Sequence, residues 1–400
     1  MTARFNLFTP EVHEDPYPVY AELRRLPGLT QVEPGGLWAV SRYADVQQAL
    51  KNPQVFSSSG FQIALQPEWL GRPNPMNDSI LVKDPPQHAR LRTLVTRAFG
   101  TATLTRLESH IRAYAQQAAA KMPIGSPVDF IQSYALQIPA NVIGELLGLD
   151  PSLHGRFKRW SDDITSTSSV PPDAHAWQTQ VRATYNEMEE YLSGIIAQRR
   201  RQPSDDMVSD LLTARVDGEA LSDKDLLGFL VLLLVAGLET TVHLIAHSGL
   251  MLAKRPELME RLRADRSKIP AFVEEMLRYE SPAQGVLRLT MAETELSGTR
   301  LPAFTPVLLL LASAARDEKQ FPDSERFDID RPGPQNIPFG HGIHFCLGAP
   351  LARMEARIAL EVLLDRCGGL TRDTAPVQWN QSIIVRGPTV LPLVLQPPRG

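Results

Sequence analysis

Residues 339–348 read FGHGIHFCLG and hold Cys346, one of the two cysteines in the chain; the other is Cys367. A cysteine hinged by Gly340, Gly342 and Gly348 and flanked by His341 and His344 suits several chemistries. A dinucleotide fingerprint needs a third glycine at position 345, where Phe345 stands. A zinc site of the paired-cysteine kind lacks its second cysteine. A cysteine hydrolase needs a general base, for which His341 or His344 qualifies by type, although such bases normally come from elsewhere in the sequence. A lone cysteine also serves as a small apolar core residue. The loop by itself leaves these readings open.

Three other stretches carry chemistry-bearing residues at suggestive spacing. In EEMLR, Glu275 and Arg278 share a helix face; alone, such a pair is a solvated ion pair of small worth. In AGLETT, residues 236–241, Glu239 and Thr240 interrupt a long apolar run, and Gly237 costs a helix about 1 kcal/mol relative to alanine. The bland account is a helix coming to the surface. In DPPQHARLR, His88 and Arg92 lie one turn apart, which also suits an ordinary surface pair.

Together, Phe339, Gly340, Gly342, Cys346 and Gly348 resemble the haem-binding loop of the cytochromes P-450, F-G-x-G-x-[H/R]-x-C-x-G. The resemblance implies that Cys346 is the axial thiolate ligand of a haem b iron, a ligand that favours O–O cleavage. The glycines then let the backbone turn close to a flat macrocycle. Amide N–H groups aimed at the sulfur tune it, Phe339 shields it, and the dipole of the following helix favours its charge. The family also implies that Glu275, Arg278 and Arg326 form a structural triad, and that AGLETT is the oxygen-activation site. There Ala236 and Gly237 make room for dioxygen, while Thr240 and Glu239 relay protons. His88, Arg92, Arg288 and His344 take the positions that hold the haem propionates by charge-assisted bonds. Two departures stand out: His344 where many members have arginine, and Phe304 in place of a common turn glycine. The resemblance runs in order from DPYPVY to the C-terminal stretch.

The elements that must position these residues are mostly helical. A proline-rich lead-in is followed by a hairpin over residues 29–40, turning at Pro34-Gly35-Gly36, and by a helix over 41–50 capped by Ser41. Residues 57–86 form a long loop, of a kind that is often functional. Helical patterning then dominates from His88 to Arg266. Its central member starts at Ser222, with Asp225 as capping-box partner, and runs to Lys254-Arg255 before Pro256. At 1.5 Å per residue it spans roughly 48 Å and should cross the molecule. Strands return at VLRLT, TELSG and VLLLL, and SIIVRG with LPLVLQ predicts a terminal hairpin. The expected fold is mainly α with small β-sheets, the cytochrome P-450 fold, with the long central helix over a haem and the cysteine loop on the opposite face, as one domain over residues 1–400.

Composition narrows the class. A net charge of −4 argues against a nucleic-acid partner. The longest apolar run, LLGFLVLLLVAGL, is short of the ~20 residues of a membrane span. Two cysteines and no apolar leader argue against a disulfide framework and for a cytoplasmic protein. The family's variable pocket maps onto Phe61, Trp69, Met76 and Leu81 of the long loop, Leu232, Val235 and Ala236 of the central helix, Val286, and Ile384. Arg72 and Arg386 are the nearby cations, and each could face water. So apolar a pocket suits a neutral lipophilic substrate, such as a terpenoid, steroid or macrolide. With no fused redox domain, electrons should come from a separate ferredoxin and ferredoxin reductase, docking on a face carrying Arg97, Arg106, Arg112 and Arg353. The expected protein is a monomeric monooxygenase that uses dioxygen to hydroxylate or epoxidise its substrate. The alternatives are a peroxide-driven peroxygenase and a non-catalytic haem-binding protein.

Overall fold

The structure is a computed structural model that describes residues 5–33, 35–96, 99–171, 173–332 and 337–398. Its axis is the helix Asp223–Lys254. Asp225 N donates to Ser222 Oγ and Ser222 N to Asp225 Oδ2, both at 3.1 Å, so the expected capping box is in place. Pro256 does not merely stop this helix; it opens the next, Pro256–Ala264. The central helix is long and apolar enough to cross a membrane, but most of that stretch is buried inside the fold. A helix apolar on nearly every side belongs in a core. The helices Gln137–Leu147, His154–Ser166 and Ala349–Arg366 pack around it.

To one side lies a six-stranded mixed sheet, ordered Phe5–Asn6, Thr30–Glu33, Leu37–Val40, Pro306–Leu309, Val286–Thr290 and Phe56–Ser57. The hairpin pairs Thr30 with Ala39 as expected, with Gly35 and Gly36 at positive φ; Pro34 lies outside the described residues. Smaller sheets complete the β content, so the chain is mainly helical with minor sheets.

Several expectations need correction. Ser41 does not cap its helix: the helix is Tyr43–Lys51, and Asp317 Oδ2 accepts from Tyr43 N at 2.8 Å, so a distant carboxylate does the capping. The long loop holds a short helix, Gly60–Leu65, and three single 3₁₀ turns. SIIVRG is not a strand but the connection between Gln378–Trp379 and Pro388–Val390, while Pro392–Gln396 pairs with Gly369–Arg372 and Pro127–Asp129. Phe304 keeps the left-handed turn with φ 59° and stands 68% exposed, so the missing glycine costs strain rather than the turn.

The triad is also corrected. Glu275 and Arg278 are buried and bidentate, at 2.8 and 2.7 Å. The third member is Arg331, whose Nε lies 3.4 Å from Glu275 Oε1. Arg326 turns outward to Asp328 and contributes only its carbonyl, which accepts from Arg278 at 3.1 Å. Residues 322–331 coil so that the Arg331 guanidinium also meets the carbonyls of Pro322, Asp323 and Arg326, leaving no inward room for Arg326.

Candidate active site

The cysteine loop closes on itself. Gly340 N donates to Ile337 O at 2.7 Å and Cys346 N to Phe339 O at 2.9 Å. Gly342 adopts φ 70°, and a Cβ there would lie 2.8 Å from Leu50 O, so the turn requires glycine. Cys346 is exposed to the cavity; the protein packed around it pushes its thiol up, while the Gly348 amide, Arg92 and the Ala349 amide pull toward the thiolate. Arg353 covers the Phe339 ring, 4.5 Å from its centroid.

Cys346 opens into a cavity whose far wall is the central helix. Along that wall Phe229, Leu232, Leu233, Ala236, Gly237, Thr240 and Leu244 follow one helical stripe. Thr240 Oγ1 donates to Ala236 O at 2.9 Å. Gly237 has a second reason to be small: a Cβ there would meet Ile143 Cδ1 at 2.6 Å.

A cation cluster stands at one edge. Arg92, Arg288 and His344 line the cavity, and His88 lies behind, its ring centroid 4.2 Å from that of His344. Buried His88 Nε2 has no partner. Burial pushes Arg288 down to about 10, and its one described hydrogen bond is to Leu287 O. Burial, Arg288, His88 and Arg92 together press His344 down to about 3. Its Nε2 meets Ser58 Oγ at 2.8 Å. The charges here are Arg92 and Arg288, with His344 an uncharged donor beside them; Asp84 acts on Arg288, and the two guanidiniums are under-compensated toward the cavity. An apolar slot with a cysteine facing its middle and surplus cations at one edge fits a flat macrocycle with an iron and two carboxylate arms. Haem b therefore fits these residues.

Glu239 is not in the cavity. Its stripe points the other way, and the carboxylate is buried against Ser161 Oγ at 3.3 Å, Lys158 Nζ at 3.8 Å and His243 Nε2 at 2.8 Å. Burial alone would raise it, but Lys158 and His243 outweigh that and hold it below the ordinary carboxylate range. Lys158 also pairs with Asp162, which is pushed upward by burial against the helix and by Glu239, although 44% of its side chain meets solvent. The cavity's own carboxyl, among the described lining residues, is one the sequence reading missed: Glu355. It is buried, its Oε2 has no partner, and burial alone raises it well above the usual range, so it is held neutral.

Of the expected substrate contacts, Phe61, Leu81, Leu232, Ala236 and Val286 line the cavity; Trp69, Met76, Val235 and Ile384 do not. Val235 shares the Glu239 stripe, and its carbonyl accepts from Ser161 Oγ at 3.5 Å. Met76 is core packing, Trp69 packs at the edge of the same core, and Ile384 packs beside the N-terminal segment. Phe99, Ile143, Phe229 and Leu233 were missed, although the 3.6-residue period from Leu232 and Ala236 picks out Phe229 and Leu233. Arg72 pairs with Glu189 and Asn186. Arg386 does not face water: it is buried, with Glu280 Oε2 at 2.7 Å. On the expected docking face, Arg106, Arg112 and Arg353 are paired with Asp205, Glu361 and Glu274. Arg97 lies outside the described residues.

Residues 32–388 match the family model described as cytochrome P450. The chain is 37% identical to mycinamicin IV hydroxylase/epoxidase of Micromonospora griseorubida, over 94% of both proteins. It is 36% identical to vitamin D(3) 25-hydroxylase of Pseudonocardia autotrophica, over 99% of this chain and 98% of that protein. Among solved structures it resembles cytochrome P450 CYP109Q5 from Chondromyces apiculatus, with a TM-score of 0.90, 42% identity and 99% of both chains covered. With the cysteine loop, the cation cluster and the Thr240 wall already in place, these likenesses settle the class: the chain belongs to the cytochrome P450 family, as a monooxygenase whose cofactor is haem b.

Proposed function

We propose that the protein hydroxylates or epoxidises a neutral, lipophilic molecule of macrolide or steroid size, with electrons from a separate ferredoxin and its reductase. The carrying observation is the wall between Cys346 and Thr240. Away from the cation cluster it is Phe61, Ile80, Leu81, Phe229, Leu232, Leu233, Ala236, Leu244 and Val286, with no charged side chain among them. Such a surface binds by burying apolar area and offers little to a small anion. The names of the macrolide and vitamin D relatives support the same class. The reading extends to a cytoplasmic monomer working as one domain over residues 1–400.

Haem, when bound, supplies the redox chemistry, reducing dioxygen with two electrons and placing one oxygen atom in the substrate. The chain's residues do the rest. Cys346 holds the iron, with the Gly348 and Ala349 amides stabilising its thiolate. His88, Arg92, Arg288 and His344 would hold the two carboxylate arms, while Phe339 would close the sulfur side. Thr240 Oγ1 donates to Ala236 O, which leaves its lone pairs free to take a hydrogen bond from the cavity and to orient a water. Glu239 is the proton relay behind it: a carboxylate at rest, it must first take up a proton, and it reaches the cavity only by leaving Lys158 and His243. The apolar wall keeps bulk water from stray proton transfer.

The test is an optical titration of the ferric protein. Neutral macrolides or steroids should give a saturable shift to high spin, followed by oxygenated product with a ferredoxin system. A saturable shift with small carboxylates alone would overturn the substrate class.

A further inference from the structure

The central helix carries a second polar feature that the reading above does not use. His243 and His247 continue the stripe of Glu239 at four-residue intervals, which carries it roughly 12 Å toward the helix C-terminus. Both imidazoles are buried, and each has one nitrogen without a partner, His243 Nδ1 and His247 Nε2. The other nitrogens are committed. His243 Nε2 meets Glu239 Oε1 at 2.8 Å. His247 Nδ1 lies 2.9 Å from the Glu280 carbonyl, which can only accept, so Nδ1 carries the proton and Nε2 is a bare acceptor. The two rings are 6.4 Å apart and nearly parallel. Gly387 holds the first in place: a Cβ there would fall 2.0 Å from its Cγ and Nδ1. His247 lines a separate, polar cavity on the other side of the helix, together with Glu280, Arg316 and Arg386.

We infer that Glu239, His243 and His247 form a proton-conducting file that feeds the active site from this second cavity. It rests on the reading of Glu239 as the proton relay behind Thr240. A water admitted from the second cavity donates one O–H to His247 Nε2, which holds it in place, and hands a proton arriving from solvent to His243 Nδ1. His243 releases its Nε2 proton to Glu239, which becomes a neutral acid. One proton moves, no electron moves, the water is regenerated, and the imidazole regains its first tautomer by exchange with solvent. Asp162 and Lys158 on the helix His154–Ser166 form the competing way in.

The test compares His243→Asn, His247→Asn, Glu239→Gln and Asp162→Asn in the haem-loaded protein. Histidine nitrogen NMR of the diamagnetic reduced carbon-monoxide form reads exchange of the His243 imidazole proton with water. The file predicts at least tenfold slower exchange in His247→Asn. With a ferredoxin system, product per electron should fall at least threefold in both histidine variants and in Glu239→Gln, with peroxide rising to match. If Glu239→Gln uncouples while both histidine variants couple like the parent and His243 exchange is unchanged, the file is wrong and the role of Glu239 stands. Uncoupling by Asp162→Asn alone, with that unchanged exchange, assigns the route to the other flank. If Glu239→Gln couples normally, the Glu239 reading fails, and the file stands or falls on exchange: slowed by His247→Asn it conducts, unchanged it does not. Should His243→Asn fail to fold, His247→Asn at the cavity edge decides by both readouts.

Discussion

Arg288→Met should change the haem-free and haem-bound proteins in opposite directions. Arg288 is 5% exposed, and burial pushes it down to about 10. Relative to the ordinary arginine value, that displacement opposes the charged form by about 3 kcal/mol. The sign follows from linkage. Below both values the arginine is charged in the folded and unfolded chains, so the full cost falls on the folded haem-free protein at pH 7. It fades only as pH rises above about 10. Methionine fills similar volume without a charge, so haem-free Arg288→Met should be more stable by up to about 3 kcal/mol. In the loaded protein the guanidinium meets a carboxylate, a charge-assisted bond worth about 1.5–3 kcal/mol. Haem affinity should therefore fall by about 1.5–3 kcal/mol, roughly tenfold to a hundredfold. Urea unfolding of the haem-free forms gives the first quantity, and transfer of haem to an excess of scavenging apoprotein gives the second. A variant that is less stable without haem and keeps haem as tightly as the parent would refute the cation-cluster argument.

Other outcomes test other parts of the site. Thr240→Ala removes a hydroxyl but not the cavity wall, so the substrate-induced spin shift should persist while product per electron falls and peroxide rises; unchanged coupling would reduce Thr240 to packing. Cys346→His should abolish the thiolate-type spectrum of the reduced carbon-monoxide complex, whereas Cys367→Ser, a buried thiol donating to Leu363 O at 3.4 Å, should keep it. Arg331→Ala should lower unfolding stability by roughly 1–3 kcal/mol, since it strips a partner from buried Glu275, and Arg326→Ala should change it by less than about 0.5 kcal/mol; equal effects would restore Arg326 to the triad. Burial presses His247 down to about 3, so the unfolded chain binds the extra proton as pH falls from about 6.5, and stability present above that range is lost toward pH 3. His247→Asn should spare about 3 kcal/mol of that loss at pH 4, read from denaturation midpoints across pH.

What the sequence disclosed divides by range. The cysteine loop and the cap of the central helix were legible because each is a local pattern whose partners lie within a few residues. Val235 went astray, and Glu239 stands behind the cavity wall rather than in it, for the opposite reason. A polar pair in an apolar helix signals importance, but which of two adjacent residues turns to the cavity depends on the helix's rotation against its neighbours. Arg326 and Arg331 were both within reach of Glu275, and only the coil of residues 322–331 decides between them. Ser41 had the right type for a cap, but Asp317, far along the chain, holds the site instead. Charge partners are equally silent: Arg106, Arg112 and Arg353 read as a basic face until Asp205, Glu361 and Glu274 fold against them. Glu355 carries no local mark at all, since its neutrality comes from what surrounds it.

The rotation of the central helix has an evolutionary consequence. Leu232, Ala236 and Thr240 share one stripe, and Val235, Glu239, His243 and His247 the next, about 100° around the axis. Inheritance can therefore rewrite one stripe without disturbing the other. Exchanges at Leu232, Leu233 or Ala236 reshape the guest molecule's berth and leave the Lys158 and His243 contacts untouched. A lineage, or a mutagenesis library, confined to Leu232, Leu233 and Ala236 of the first stripe explores new guests at constant proton handling. One confined to the second changes how faithfully electrons become product while the guest stays the same.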